Sequence, residues 1–234
     1  MSGRLKIGMV KFTNSLPFVH GMGRFGEGVT GAPRELAEWF AEGKLDVAFV
    51  PSVNYLRNRE TYSLLSGISI SSFGPTRSVR LFYNGELRNI RCVCLSPDSL
   101  TSNFLVRRML FRRHGLNPTF VDGHEGATAD ARLIIGDRGL EERSGFDFLD
   151  LGSEWWELTG LPLVYAVCVA KEPDLAADLA PGIRQLAASN LGNLRELLEG
   201  VGKPELFSYI TSLDYGLGEL HMECLDRIAT YLHD

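Results

Sequence analysis

Leu161-Pro162-Leu163-Val164-Tyr165-Ala166-Val167-Cys168-Val169-Ala170 is the longest apolar run in the chain. It is half the ~20 residues a bilayer-spanning helix needs, and Leu163–Ala170 reads instead as a strand. Upstream, Ser78-Val79-Arg80-Leu81-Phe82-Tyr83 reads as a second extended apolar segment. Between them, from about 84 to 168, lies a strand-helix unit with nine arginines against twelve acidic residues. Two adjacent crossing segments joining two α/β units are the plan of a hinged protein, and the cleft between such lobes is where small ligands bind. The expected division is residues 1–83 plus 169–234 for one lobe and 84–168 for the other.

Working outward, Leu5–Val10, Val47–Val50, Ile68–Ser72, Ile90–Leu95, Thr119–Val121, Leu133–Ile135 and Phe146–Leu151 also read as strands. Helices fall between several of them. Pro33 opens one, Leu36, Trp39 and Phe40 give it an apolar face, and Gly43 stops it. Another follows Ser99-Leu100-Thr101-Ser102, with Leu105, Val106, Met109 and Leu110 opposite a solvated face of Arg107, Arg108 and Arg112. The alternation predicts an α/β chain with largely parallel sheets. From Pro173 onward the pattern is helical alone, over Leu175–Ala188, Leu191–Leu198, Pro204–Ser212 and Glu219–Leu232.

The 234 residues are 44% apolar and 23% charged, with a formal net charge of −5. Such values exclude disordered, collagen-like and coiled-coil classes. An acidic chain without a Lys/Arg run is no partner for nucleic acid or an acidic membrane surface, which leaves small molecules. Four Cys and five His are scattered, so neither a disulfide framework nor a metal site is expected. Cys92 and Cys94 share one face of a strand as small hydrophobes. Met1 to Val10 runs straight into a strand without a signal-peptide pattern, which implies a cytoplasmic protein with reduced thiols. Gly21-Met22-Gly23-Arg24-Phe25-Gly26 matches the dinucleotide fingerprint, but Pro17 intervenes after the strand and Gly28 and Gly31 stand where the helix should begin. These glycines read as a flexible loop. His20, His114, His124, His221 and His233 pair with no nucleophile in the sequence.

Hydroxyl and amide side chains gather at strand ends. Thr13-Asn14-Ser15 follows the first strand, Pro51-Ser52 the next, and Ser71-Ser72 through Thr76-Arg77-Ser78 the Ile68 strand. Ser96 to Ser102 joins a strand to a helix. In parallel α/β sheets these ends face the ligand crevice, and helix N-termini there offer free N–H groups and a partial positive charge. Two readings fit: Ser99 or Thr101 caps its helix while the others make turns, or the set forms one anion-binding cleft.

Six segments occur in order. They are Asn14-Ser15-Leu16-Pro17; Gly43-Lys44-Leu45-Asp46-Val47-Ala48 running into Val50-Pro51-Ser52; and Gly74-Pro75-Thr76-Arg77-Ser78-Val79. Ser99-Leu100-Thr101-Ser102, Ile135-Gly136-Asp137 and Thr159-Gly160-Leu161-Pro162-Leu163-Val164-Tyr165-Ala166 follow. Together they resemble the chorismate dehydratase family of the futalosine route to menaquinone. The resemblance implies an α/β, two-lobed fold like the type II periplasmic binding proteins, used as a cytoplasmic enzyme without cofactor or metal. It also implies the reaction, removal of water from chorismate to give 3-[(1-carboxyvinyl)oxy]benzoate. Cys168 stands where the family usually has Trp, and Gly139 where it has Ala. The Ser-Pro-Cys-Pro-Asn-Asp signature of the sibling dihydroxynaphthoate synthase is absent.

On this reading the dianion's carboxylates fall to Ser71, Ser72, Ser99, Thr101 and Ser102, with Arg77 adding charge. Ser15, Ser52 and Ser78 complete the binding set. Asn14 is expected at the reacting centre. The proton goes either to the substrate's own enolpyruvyl carboxylate or to Asp137, and Asp137 reads equally as the N-cap of a helix over Arg138–Arg143. The competing reading is a non-catalytic carboxylate receptor with the same two lobes.

Overall fold

The computed structural model describes residues 3–123, 128–141 and 145–233. His124 and the far end of the helix expected over Arg138–Arg143 lie outside them. The strands are β1 (Lys6–Val10), β2 (Glu27–Gly31), β3 (Val47–Pro51), β4 (Ser63–Ser72), β5 (Val79–Tyr83), β6 (Cys92–Cys94), β7 (Thr119–Val121), β8 (Ala131–Ile135), β9 (Asp147–Asp150) and β10 (Leu163–Ala170). The helices are α1 (Leu16–Val19), α2 (Pro33–Ala41), α3 (Ser52–Arg57), α4 (Thr101–His114), α5 (Leu151–Thr159), α6 (Pro173–Gly192), α7 (Leu194–Gly200), α8 (Phe207–Ile210) and α9 (Glu219–His233). Short 3-10 turns join several of them.

Two five-stranded sheets result, in the orders β2-β1-β3-β10-β4 and β7-β6-β8-β5-β9. Every residue of β3 is buried, and so is β1 beyond Lys6. Such strands, covered on both faces, read as unbroken apolar runs. Helix α2 lays Leu36, Ala37 and Phe40 on this sheet, and Ala32 N–H donates to Glu35 at 2.7 Å to close its first turn. In the second lobe α4 buries Leu105, Val106, Met109 and Leu110. The arginines on its other side also cover rings: Arg107 sits 4.2 Å from Phe120 and Arg112 4.5 Å from Tyr231.

The crossings differ from the expected boundaries at 83/84 and 168/169. β5 pairs wholly within the second sheet, and β10 wholly within the first. The chain therefore leaves the first sheet after Ser72 and returns to it at Leu163. The sheets are also mixed, not largely parallel. β1 runs parallel to β2 and β3, but β10 is antiparallel to β3 and β4, and β5 to β8 and β9. An outgoing and a returning segment run in opposite senses, so placing β10 beside β4 imposes this.

Two further differences follow from glycine and capping. Glu27–Gly31, expected as loop, is the edge strand β2. A Cβ at Gly28 would lie 2.5 Å from Met9, and one at Gly31 2.8 Å from the Trp39 ring, so these glycines serve packing. Helix α5 begins directly after β9, where Asp150 accepts from Gly152 N at 3.0 Å and Ser153 N at 3.1 Å. Cys168 is fully buried opposite Phe49, and burial pushes its thiol far above the ordinary range. A Cβ at Gly139 would lie 2.2 Å from the Ser78 carbonyl. Both departures sit in packing contacts.

Candidate active site

Between the lobes lies a narrow cleft with a cavity of about 50 Å³, in the kind of inter-lobe position where small molecules bind. The first lobe contributes Phe12 and Asn14 after β1, Pro51 at the end of β3, and Tyr165 and Ala166 of β10. The second contributes Thr76, Val79, the start of α4 and the Ile135–Gly136 end of β8. This is the crevice beyond the carboxyl ends of strands, where α/β sheets take ligands. The lobes meet around it. Arg34 N donates to Asp98 O at 3.3 Å, Val53 N to Thr101 Oγ1 at 3.3 Å, and Tyr209 OH to Ser78 Oγ at 2.8 Å. The form is closed.

The expected binding hydroxyls divide sharply. Ser99, Thr101 and Ser102 line the cleft. Ser99 Oγ accepts from Ser102 N at 3.0 Å, which is the capping role, and Thr101 Oγ1 donates to Tyr165 O at 3.2 Å. Ser102 Oγ has no hydrogen-bond partner among the described residues, so this hydroxyl is available to a ligand. Ser15, Ser52, Ser71, Ser72 and Ser78 lie outside the lining. Ser15 Oγ donates to Val10 O and Phe12 O, Ser52 Oγ to Val164 O at 2.6 Å, Ser71 Oγ to Asp214 O at 3.1 Å, and Ser72 Oγ to Gly74 O at 2.9 Å. Their hydroxyls tie strands and turns together; Ser15 lines an adjoining cavity with Phe12, and Ser72 bonds the lining residues Thr76 and Tyr165.

Arg77 is exposed and donates to Ser208 Oγ at 3.3 Å, away from the cleft. Its φ of 68° is the left-handed conformation that non-glycine residues rarely adopt. Asp150 holds it there, accepting from Thr76 N at 2.9 Å and Arg77 N at 2.6 Å. Asp137 neither lines the cleft nor caps a helix: its carboxylate accepts from Thr13 N at 2.9 Å and Thr13 Oγ1 at 2.8 Å, across the lobes.

Asn14 does line the cleft, and its Oδ1 is buried without a hydrogen-bond partner. Buried polar atoms are ordinarily paired, so an orphan carbonyl facing a cleft marks a place for a ligand donor. Among the described lining residues Tyr165 is the one ionisable side chain. Burial, with Asp150 adding to it, pushes its hydroxyl well above the ordinary tyrosine range, so it stays protonated. Tyr165 OH bonds Thr76 Oγ1 and lies 3.2 Å from Ser72 Oγ, while Ser72 and Thr76 are 3.1 Å apart. The cleft therefore presents neutral donors and acceptors, with one helix N-terminus, to an anion. Among the described residues no group of three or more His, Cys, Asp and Glu is placed to hold a metal ion.

A family model described as menaquinone biosynthesis matches residues 5–234. The chain belongs to that family. Among curated proteins it is 27% identical to a chorismate dehydratase of Thermus thermophilus, over 95% of this chain and 91% of that one. Among solved structures, a protein from Archaeoglobus fulgidus aligns with TM-score 0.79 at 15% identity, covering 99% of this chain and 97% of that one. The periplasmic aliphatic sulphonate binding protein SsuA of Escherichia coli aligns with TM-score 0.63 at 16% identity, covering 100% and 92%. At these identities the structures bear on the fold, which is the two-lobed periplasmic-binding-protein type. Among the described residues no helix is long and apolar enough to cross a membrane.

Two polar lining residues of this menaquinone-biosynthesis family member were missed by sequence reasoning, Thr76 and Tyr165. Both stand inside segments that carried the resemblance. Nothing in either segment says that a threonine and a tyrosine 89 positions apart share a hydrogen bond.

Proposed function

We propose that this protein dehydrates chorismate to 3-[(1-carboxyvinyl)oxy]benzoate, in the cytoplasm and with a free dianionic substrate. The observation that carries the reading is the orphan Oδ1 of Asn14 in a cleft whose one ionisable lining group is a tyrosine kept neutral. The match to a chorismate dehydratase along nearly the whole chain supports it.

The reaction suits such a site. The hydrogen lost is on the ring carbon bearing the enolpyruvyl ether, vinylogous to the ring carboxylate, so deprotonation spreads charge into that carboxylate. The neighbouring hydroxyl then leaves and the ring becomes aromatic, which makes the sequence strongly downhill. The described residues that line the cleft include no carboxylate or imidazole, so in this reading the proton passes to the substrate's own enolpyruvyl carboxylate. From there it reaches the departing hydroxyl, so water is released and the atoms balance.

The protein's part is to orient the dianion and stabilise the developing enolate. Ser102 Oγ and the N-terminus of α4 take a carboxylate, each hydrogen bond to the charge being worth roughly 1.5–3 kcal/mol. Thr76 and Tyr165 line the cleft beside them, and Asn14 orients the leaving hydroxyl. The test is to add chorismate and follow loss of its diene absorbance together with appearance of the benzoate. Binding without loss of chorismate would overturn the dehydratase reading in favour of a carboxylate receptor.

A further inference from the structure

Asn14 stands between two residues that are tied in opposite directions. Ser15 is held to its own lobe, its N–H donating to Phe12 O at 3.0 Å and its hydroxyl to the carbonyls of Phe12 and Val10. Thr13 is held to the other lobe, through both hydrogen bonds to Asp137, 124 positions away. Beside this pair Gly136 lies against Phe12. A Cβ at Gly136 would lie 2.5 Å from the Phe12 ring, and its φ of 67° is in the left-handed region. The close approach of the β8 end to the Asn14 turn therefore needs glycine there and brings the Asp137 carboxylate onto Thr13.

We propose that Asp137 is a positioning residue whose two-oxygen clasp on Thr13 couples closure of the lobes to assembly of the reacting centre at Asn14. The inference rests on the reading of Asn14 given above. In an open form Thr13 N–H and Oγ1 lose the carboxylate, and the Thr13–Asn14–Ser15 turn is pinned at one end only. On closure both carboxylate oxygens engage, and Asn14 is set against a substrate already in the cleft. A carboxylate suits this because it accepts both bonds at once and both are charge-assisted.

The experiment combines single and paired variants. Asp137→Ala is expected to lower kcat/KM about 10- to 100-fold, the scale of losing charge-assisted hydrogen bonds. Asp137→Asn, which keeps one acceptor for Thr13 N–H, should fall between it and the wild type, and Thr13→Val should resemble Asp137→Asn. Thr13→Val added to Asp137→Ala should cost nothing more, since the partner is already gone. In an Asn14→Ala background, Asp137→Ala should leave kcat unchanged, because its effect passes through Asn14. A further loss of kcat in that background, or additive losses in the Thr13 pair, would overturn the clasp. Chorismate binding by calorimetry separates this from failure of the dehydratase reading. If the wild type binds chorismate but leaves it intact, the clasp still requires that Asp137→Ala weaken binding and that the double variant bind no more weakly.

Discussion

Two hydroxyl clusters flank the same cleft and meet different fates. Ser99, Thr101 and Ser102 open α4, while Ser69, Ser71 and Ser72 close β4. Both groups are almost fully buried. In the β4 group each hydroxyl donates to a nearby carbonyl: Ser69 to Gly216, Ser71 to Asp214 and Ser72 to Gly74. β4 is the edge of its sheet, and the 213–216 segment lies alongside it, with Ser71 and Asp214 also bridged through their backbones. That geometry supplies acceptors at hydroxyl height. At the start of α4 the helix carbonyls point along the axis, away from the N-terminal side chains. Ser102 Oγ is left for a ligand. Residue type and position at an element's end are thus the same, and the supply of backbone acceptors decides which group keeps a hydroxyl free.

The comparison can be broken or sharpened by substitution. Asn14→Ala, beside the α4 group in the lining, sets the largest scale. Losing one preorganised polar contact to a reacting centre typically costs ~10²–10³ in kcat, and chorismate affinity by calorimetry should move only a few-fold. Unchanged turnover would remove Asn14 from the reacting centre. Ser102→Ala should lower kcat/KM about 10- to 100-fold, from one hydrogen bond to charge, with Tm unmoved in a thermal melt. Ser71→Ala should do the reverse. Its lost internal hydrogen bond, about 1 kcal/mol, corresponds to ~2–4 °C in Tm for a chain of this size, and kcat/KM should stay within about twofold. If Ser71→Ala lost activity at unchanged Tm, the distinction between the clusters would fail.

The smallest effect concerns Asp214, the β4 group's acceptor. The His221 imidazole, its Nε2 3.1 Å from Asp214 Oδ1, holds that carboxyl below the ordinary value of 3.8. A depressed carboxylate stabilises the fold above its unfolded pKa, and that contribution is lost as pH falls through the folded one. Asp214 is partly exposed, so Asp214→Asn should cost under ~1 kcal/mol at pH 7. It should also flatten the loss of stability below about pH 4, read from urea midpoints against pH. An unchanged acid limb would mean the His221 contact contributes nothing.

Legibility in the sequence follows burial. β1 beyond Lys6, β3 and β10 announce themselves because both faces are covered and nearly every position is apolar. β2 hides because it is an exposed edge whose glycines make room for Met9 and Trp39. α5 hides because no glycine or proline separates it from β9, and Asp150 alone makes the break. In the cleft, Asn14 and Ser102 were legible as short polar residues just past or between strands and helices. Thr76 and Tyr165 were not, since their contact depends on how β5 and β10 enter different sheets.

From residue order alone come the apolar runs, the two crossings between α/β units, and the polar residues at strand ends, because each depends on local periodicity and turn chemistry. Which strands pair with which, where the crossings fall, and which hydroxyls remain for a ligand were decided only by the tertiary structure. Those outcomes depend on what distant parts of the chain offer: Gly216 and Asp214 take the hydroxyls of Ser69 and Ser71, and Asp137 meets Thr13 only where the two lobes come together.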